Sequence, residues 1–201
     1  MKSVDIVGYK RDNTGKRDAK RLRNEGNVPC VIYGGKEEVH FYAPMILFRP
    51  LVYTPDAHTV NLNIEGDEYK CILQDAQYHP VSEVMLHADF LLLHDDKPVK
   101  MDIPVKLKGN APGVIQGGKL LTKLRYIRVK AVPEHLPDMI EVDVSKLDLG
   151  KSIKVKELSQ ENYEILNNPL VSIATVEIPR ALRGKGGEGA EEGVEEEEAT
   201  A

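Results

Sequence analysis

The stretch GKRDAKRLRNEGNVPCVIYGG, residues 15–35, changes its pattern halfway along. Residues 16–25 are good helix formers, and the Gly-Asn pair that follows them is a helix stop signal. The next run, VPCVIY, is apolar and of strand type, and the Gly-Gly pair closes it with a turn. The stretch therefore predicts a short helix that leads directly into a strand.

Strand patterns continue downstream as far as residue 94. The segment HTVNLNIEGDEYKCILQ, residues 58–74, alternates apolar and polar positions on both sides of a turn, which indicates a hairpin. EVHFY at 38–42 and EVMLHADFLLL at 83–93 predict two further strands, and APMILFRPLVY at 43–53 predicts a short helix between prolines. Residues 1–94 are therefore expected to form a small β-barrel with one or two short helices.

A second unit is expected to begin near residue 95, after a charged segment that contains proline. Apolar residues alternate from Met101 to Leu107, and period-two stretches recur up to residue 179, with GNAPGVIQGGK at 109–119 as a long loop. Residues 95–180 are expected to form an all-β, sandwich-like domain. The predicted fold class is therefore mainly β (α+β).

The last segment, residues 181–201, is rich in glycine and glutamate and contains a single valine. Such a composition cannot bury enough apolar surface to offset the entropy of ordering, so the sequence predicts a disordered acidic tail. Two roles stay open for it, a solubilising tail or a polyanion that competes with RNA for basic surfaces.

Charge is distributed unevenly along this acidic chain. Residues 1–36 carry nine bases and four acids, whereas residues 37–93 carry two bases and nine acids. Residues 94–179 are nearly balanced, and the tail is acidic again. The net charge of −5 therefore hides a local positive patch.

The predicted helix explains where this patch lies. At 100° per residue, Lys16, Lys20 and Arg23 fall within about 60° of one another, with Arg17 and Arg21 on their flank and Ala19 and Leu22 on the far side. Lys10 and Arg11 add to the charge from the preceding loop. A solvated charged face and a nucleic-acid-binding face are both consistent with this pattern, and the density of like charge favours nucleic acid.

A second basic cluster is predicted near the middle of the second unit. Lysines and arginines alternate there with apolar residues, namely Lys119, Lys123, Arg125, Arg128 and Lys130. The cluster fits either the solvated face of a sheet or a contact with RNA or protein.

Composition and motifs give no support to catalysis. The chain lacks the nucleophile elbow, the zinc-protease helix motif and the phosphate-binding Walker A motif, so it is expected to be neither an enzyme nor a cofactor protein. Cys30 and Cys71 lie in apolar stretches without a CxxC partner, and we expect them to be buried free thiols. Residues 1–10 do not resemble a signal peptide, and the longest apolar runs are too short to cross a bilayer. A cytoplasmic protein with no membrane partner is expected.

One alternative from another functional class stays open. His79, His87, Asp89 and His94 are the residue types that bind divalent metals, and His87 and Asp89 would share one face of a strand. Their spacing matches no compact metal motif. A metal-binding or enzymatic stress protein that uses these residues is therefore the alternative hypothesis.

Four motifs in order carry a family resemblance: residues 15–35 quoted above, LQDAQYHPVSEVMLHADF at 73–90, GNAPGVIQGGKLL at 109–121 and LPDMIEVDVSKLDLGKSIKVKEL at 136–158. Together they resemble the long form of the bacterial 5S-rRNA-binding ribosomal protein, number twenty-five of the large subunit, also called general stress protein Ctc. This chain departs from the usual family pattern at residues 17–18, where Arg-Asp replaces a small Gly-Ala pair.

The resemblance implies a β-barrel that binds the loop E region of 5S rRNA in the central protuberance, followed by an all-β domain. It implies a monomer within the ribosome, with neighbouring large-subunit rRNA and ribosomal proteins as further partners. Carried onto this chain, it places nine residues toward RNA: Lys16, Lys20, Arg21, Arg23, Tyr33, Gln74, Gln77, His87 and Asp89. Lys10 and Arg11 join this set through their charge.

Overall fold

The computed structural model describes residues 1–158 and 162–179. The predicted disordered tail, residues 181–201, lies outside the described residues.

Six strands close into a barrel in the order β1-β3-β2-β6-β5-β4. They are β1 (Lys2–Lys10), β2 (Asn27–Tyr33), β3 (Val39–Pro44), β4 (His58–Ile64), β5 (Asp67–Tyr78) and β6 (Met85–Leu92). Helix α1 (Lys16–Asn24) joins β1 to β2, and a 3₁₀ turn (Met45–Phe48) with the one-turn helix α2 (Arg49–Val52) joins β3 to β4. The predicted small barrel with short helices is confirmed.

Strand β1 is the barrel element that the sequence pattern did not predict. It pairs in parallel with β4, with Val4 opposite Val60, and in antiparallel with β3, with Tyr9 opposite Tyr42. Both partners are distant in sequence. Because these two ladders close the barrel, its formation depends on contacts that a local pattern cannot show.

All three phenylalanines of the chain meet in the barrel core. Phe90 on β6 lies between Phe41 on β3 and Phe48 in the 3₁₀ turn, with ring centroids 5.7 and 6.2 Å apart. The alternating residues of β4 point into the same core, where Val60, Leu62 and Ile64 are fully buried, as their period of two predicts.

Two further sheets follow the barrel, with strand orders β10-β7-β9-β12 and β11-β13-β8. Their strands are β7 (Val99–Lys108), β8 (Lys119–Thr122), β9 (Tyr126–Ala131), β10 (Ile140–Asp143), β11 (Ser152–Lys154), β12 (Glu164–Ile165) and β13 (Ser172–Glu177). Ile103 and Ile127 from one sheet and Ile173 from the other are buried in one apolar core. The one-turn helix α3 (Pro112–Ile115) lies where the sequence predicted only a loop, and it begins at a proline, the residue most suited to a first helical position.

The outer face of the barrel is divided along β5 and β6. Ile72 is fully buried in the core of the second set of sheets, and Leu91 and Leu93 pack against that core. Further along the same two strands, Asp75 and Gln77 are exposed. The second half of the chain therefore covers one part of this face and leaves the other part to solvent.

Cys30 and Cys71 are free thiols buried in the barrel core, as the sequence predicted. Burial raises the pKa of both thiols, that of Cys71 to about 12. Neither thiol is therefore expected to be reactive in the folded protein at neutral pH.

Raising the pH from 8 to 10.5 is expected to lower the free energy of unfolding by roughly 2 to 3 kcal/mol per thiol. In the unfolded chain a thiol ionises near its ordinary pKa, whereas the buried thiols stay protonated, so the stability present below pH 8 is lost as the pH rises. Urea unfolding at stepped pH measures this loss. The Cys30→Ala/Cys71→Ala double variant should show a shallower pH dependence, and equal slopes for the two proteins would contradict the prediction.

Candidate nucleic-acid interface

Helix α1 is fixed to the barrel by two residues of its inner side. Leu22 is buried, and the helix packs on β2. Arg23 is half-buried, and its Nε donates a hydrogen bond to the carbonyl oxygen of Leu86 on β6 at 3.0 Å. Arg23 was predicted to share an RNA-facing surface with Lys16 and Lys20. This bond gives the guanidinium an anchoring role, which holds the helix beside the strand that carries His87, and the RNA contact of Arg23 stays a prediction.

The loop before the helix is held by Arg11. The side chain of Arg11 is only 9% exposed, and its Nε lies 3.0 Å from Oδ2 of Asp18. The same guanidinium donates to the carbonyl oxygen of Gly15 at 3.3 Å. Arg11 therefore braces the entry to the helix, and Asp18, at the position where this chain departs from the family pattern, is its acceptor.

The exposed side of α1 carries Lys16, Arg17, Lys20 and Arg21. Arg21 shares the carboxylate of Asp18 at 2.7 Å and lies 3.9 Å from that of Glu25. Across residues 1–158 and 162–179, no ion pair involves the other three. We call Lys16, Arg17 and Lys20 the cationic face.

Lys10 contributes less to this surface than its sequence position suggests. It is the last residue of β1, and its ammonium group lies 3.8 Å from the carboxylate of Asp67. Its backbone N–H also donates to Glu65 at 3.2 Å. A charge that is partly neutralised in this way attracts a polyanion less strongly than the free lysines of α1.

A row of polar side chains lies on the exposed part of β5 and β6. Gln77 is directly opposite His87, and Asp75 is directly opposite Asp89. Tyr33 lies on the neighbouring strand β2. Its pKa is raised by partial burial and by the negative charges of Asp89 and Asp75. We call these five residues the polar row.

Asp89 contacts His87 within this row. Its buried Oδ1 lies 2.5 Å from Nδ1 of His87 and accepts no other hydrogen bond among the described residues. Two carboxylates directly opposite each other, as Asp75 and Asp89 are, also repel. Such a like-charge pair costs folding free energy, which is typical of residues that serve binding.

Gln74 is the predicted RNA-binding residue that the structure places apart from the row. The pairing of β5 with β6 is irregular between Leu73 and Asp75, so Gln74 lies at a bulge. It lines a cleft of about 250 Å³ together with His58, Asp102 and Arg128, where the barrel meets the second set of sheets. Its neighbours in this cleft therefore come from both halves of the chain.

The His and Asp residues of the alternative metal-binding hypothesis do not form a metal site among the described residues. His79 accepts hydrogen bonds at Nδ1 from the backbone N–H groups of Val81 and Ser82, and Nε2 of His94 lies 2.8 Å from the carbonyl oxygen of Gly34. Within the described residues no group of three or more His, Cys, Asp or Glu could hold a metal ion. The metal-binding alternative therefore has no site in this part of the chain.

Two of the five residues of the second basic cluster form ion pairs among the described residues. Arg128 forms a two-pronged ion pair with Asp102, at 2.8 and 2.9 Å, and Lys130 lies 3.3 Å from Glu164. These contacts favour the solvated face of a sheet over an RNA contact at these two positions.

None of the described helices is long and apolar enough to span a membrane.

Two residues of the interface were not among the predicted site residues. The helical wheel placed Arg17 on the flank of the basic face. Like Lys16 and Lys20, Arg17 has no ion pair among the described residues, because Asp18 pairs with Arg11 and Arg21. A regular hairpin register continued from Leu73 and Phe90 would pair Asp75 with Ala88. The bulge at Gln74 shifts the pairing by one residue and places Asp75 opposite Asp89, which the sequence pattern could not show.

The molecule is a small barrel that carries unpaired cations on a helix, beside a row of side chains able to form hydrogen bonds. This arrangement is typical of β-barrel RNA-binding proteins, and the chain falls in that class. Residues 6–90 match the Ribosomal L25p family, and residues 98–180 match the C-terminal domain of ribosomal protein TL5. The chain is 54% identical to the large ribosomal subunit protein bL25 of Cytophaga hutchinsonii over 183 residues, 91% of this chain and 95% of the relative. It is 42% identical to bL25 of Bacteroides fragilis over 189 residues, 92% and 96% of the two chains.

The chain therefore belongs to the bL25 family of large ribosomal subunit proteins. This is a family of structural ribosomal proteins, so the prediction that the chain is not an enzyme is confirmed.

Proposed function

We propose that this chain binds 5S rRNA at its loop E region in the central protuberance of the large ribosomal subunit, in the bacterial cytoplasm. The observation that carries the proposal is the arrangement of the cationic face beside the polar row, which the bond from Arg23 to Leu86 holds in place. Membership of a family of large ribosomal subunit proteins supports the ribosome as the assembly.

The two surfaces suit two different parts of an RNA helix. Lysine and arginine of the cationic face bind phosphates and determine the position of the protein on the RNA. The minor groove of RNA is wide and shallow and displays 2′-hydroxyls and base edges, which glutamine, histidine, tyrosine and aspartate can recognise by hydrogen bonds. A rigid barrel face is suited to the altered minor groove of an internal loop.

Asp89 has a specific task in this arrangement. Phosphates would repel its carboxylate, but a 2′-hydroxyl or a base amino group would donate a hydrogen bond to the part of the side chain that is exposed. Asp89 thus favours an RNA surface that presents donors at this point and disfavours one that presents phosphate. The polar row contributes selectivity, and the cationic face contributes affinity.

The test is binding of the full chain to 5S rRNA across a salt series, with tRNA as competitor. The proposal predicts tight binding that tRNA does not displace, with log K falling linearly with log salt by several units. Weak binding that is equal for both RNAs would overturn the proposal. Tight binding to both would indicate a general RNA-binding barrel and would overturn the 5S assignment.

The Asp89→Ala variant is expected to bind 5S rRNA about five- to tenfold more weakly, because it loses a charge-assisted hydrogen bond of about 1 to 1.5 kcal/mol. Its salt dependence should be unchanged, since no phosphate contact is lost. The same salt series measures both quantities.

Asp75→Ala is the matched control in the opposite strand. It removes the same charge, and its expected effect is higher affinity for unrelated RNA such as tRNA, because an exposed carboxylate that repels phosphate is gone. A gain in 5S affinity for Asp89→Ala equal to that of Asp75→Ala would show that Asp89 acts only as a charge.

A further inference from the structure

The acidic end of the chain is a feature to which the proposed function gives no role. Residues 188–198 contain seven glutamates and no lysine or arginine. This segment lies outside the residues that the structure describes, so its sequence and its point of attachment are what bear on its role. A block of like charge this dense is typical of an interaction tail, and the surface that complements it is cationic.

The second basic cluster is a poor acceptor for this segment, although it belongs to the same half of the chain. Three of its members form no ion pair among the described residues: Lys119, Lys123 and Arg125. Lys119, however, lies directly opposite Glu177 in the pairing of β8 with β13, so a carboxylate is already beside it. Only two cations are then left, in the irregular segment between β8 and β9.

The cationic face of α1 concentrates three exposed cations on little more than one helical turn. Asp18, the acid within this stretch, pairs with two other arginines and does not neutralise the face. Lys16 and Lys20 are about 6 Å apart along the helix axis. In an extended run of glutamates, side chains on the same side are about 7 Å apart. The four consecutive glutamates of residues 195–198 therefore match the spacing of this face, and they do so in more than one register.

The point of attachment is close enough to α1 for this contact. The last described residue, Pro179, follows Ile173 by about 20 Å of strand, and Ile173 lies in the core against which Leu91 of β6 packs. From Leu91 to Leu86, which accepts the bond that anchors α1, is about 17 Å of strand. Pro179 is therefore within about 50 Å of the helix, with about 10 Å allowed for the core. The 19 residues from Pro179 to Glu198 span about 60 Å when extended, which covers this distance.

We propose that the glutamates of residues 191–198 dock on the cationic face of the same chain and compete there with RNA. Their carboxylates take the positions that phosphates occupy in the complex. RNA displaces them because it also forms hydrogen bonds with the polar row, which the segment leaves free. The docking itself does not depend on the identity of the RNA, but its effect on RNA binding rests on the proposed function.

This competition has a defined consequence for RNA binding. A competitor at one face lowers the affinity of every RNA by the same factor. An RNA held by charge alone is then bound too weakly to persist, whereas an RNA that also engages the polar row stays bound. The acidic segment therefore acts as a threshold against non-specific RNA.

Paramagnetic relaxation in the full chain tests the docking without RNA. A nitroxide attached to the Glu196→Cys variant marks one site, because Cys30 and Cys71 are buried. At low salt we expect broadened amide signals for residues 16–21 and sharp signals for Lys146 and Lys156. The broadening should be independent of protein concentration. It should vanish at high salt, which screens exposed pairs, and in a matched variant whose other glutamates in residues 191–198 are glutamine.

Three results of this experiment would overturn the proposal. The first is sharp signals for residues 16–21 at low salt. The second is broadening centred on residues 123–125, which would place the segment on the second basic cluster. The third is broadening that persists in the glutamine variant, because the contact would then not depend on the carboxylates.

RNA binding supplies the energetic test. Replacing all six glutamates of residues 191–198 by glutamine is expected to raise the affinity for 5S rRNA and for tRNA about fivefold each at low salt. The same replacement should change neither affinity in the chain in which Lys16, Arg17 and Lys20 are replaced by alanine. An equal gain in both backgrounds, or no gain in either, would overturn the proposal. Equally weak binding of both RNAs by the unaltered chain, with the broadening at α1 present, would count against the proposed function alone and would support the docking.

Discussion

Replacing Lys16, Arg17 and Lys20 together by alanine is expected to weaken binding to 5S rRNA about 100-fold at physiological salt and to lower the salt slope by two to three units. These three side chains are exposed and have no ion pair within the described residues, so their charges are available to phosphates. The fold should be unaffected, because the helix is held by Leu22 and Arg23 on its other side. Filter binding across a salt series measures both quantities.

Lys146 and Lys156 supply the matched control. Both are exposed lysines in the second half of the chain, away from α1. Their replacement by alanine changes net charge by two and should alter affinity by less than about threefold, since long-range charge is screened beyond roughly 10 Å. If the loss of affinity per removed charge were equal in the two variants, binding would depend on net charge alone and not on the position of the cationic face.

Replacing Phe90 by alanine is expected to lower the free energy of unfolding by about 3 to 5 kcal/mol, a large part of the stability of a typical domain. Phe90 is fully buried, and its ring packs against both other phenylalanines of the chain. Removing it leaves a cavity that the closed barrel cannot easily collapse to fill. Urea denaturation followed by far-ultraviolet circular dichroism measures the loss.

Phe90→Leu is the control for this prediction. Leucine keeps most of the apolar volume, so the expected cost is below about 1.5 kcal/mol. Because Phe90 lies between Asp89 and Leu91 on β6, the alanine variant should also bind 5S rRNA less well at temperatures where it remains folded. A cost of less than 1 kcal/mol for Phe90→Ala would show that the three rings do not form the centre of the barrel core.

The element types were predictable because they depend on local periodicity. The alternation of Val60, Leu62 and Ile64 predicted a strand with one buried face, and the structure has all three fully buried. The end of the helix was equally predictable, because glycine adopts at low cost the positive φ that a helix end often requires. In the structure Gly26 has a φ of +79°. Strand β1 was missed, because only its pairing with β3 and β4 stabilises it.

The sequence indicated roughly which residues form the candidate site, but not which of them are engaged in contacts within the protein. A helical wheel groups Arg23 with the free lysines, yet its partner is a carbonyl oxygen 63 residues away in the chain. Likewise, Arg11 adds to the positive charge of the basic segment in the sequence, but in the structure its side chain is buried against Asp18. Gln74 and Gln77 are equivalent in the sequence motif, but Gln74 lies at a bulge and lines a cleft, whereas Gln77 is regularly paired opposite His87.

By itself, the amino-acid sequence determined the family, the mainly β fold class and the concentration of positive charge in one short helix. These properties follow from composition and from periods of two and 3.6 residues, which are local. Only the tertiary structure decided which cations are free and which polar side chains form one row. Those outcomes depend on ion pairs, strand register and burial that join residues distant in the chain, and a single sequence does not display such contacts.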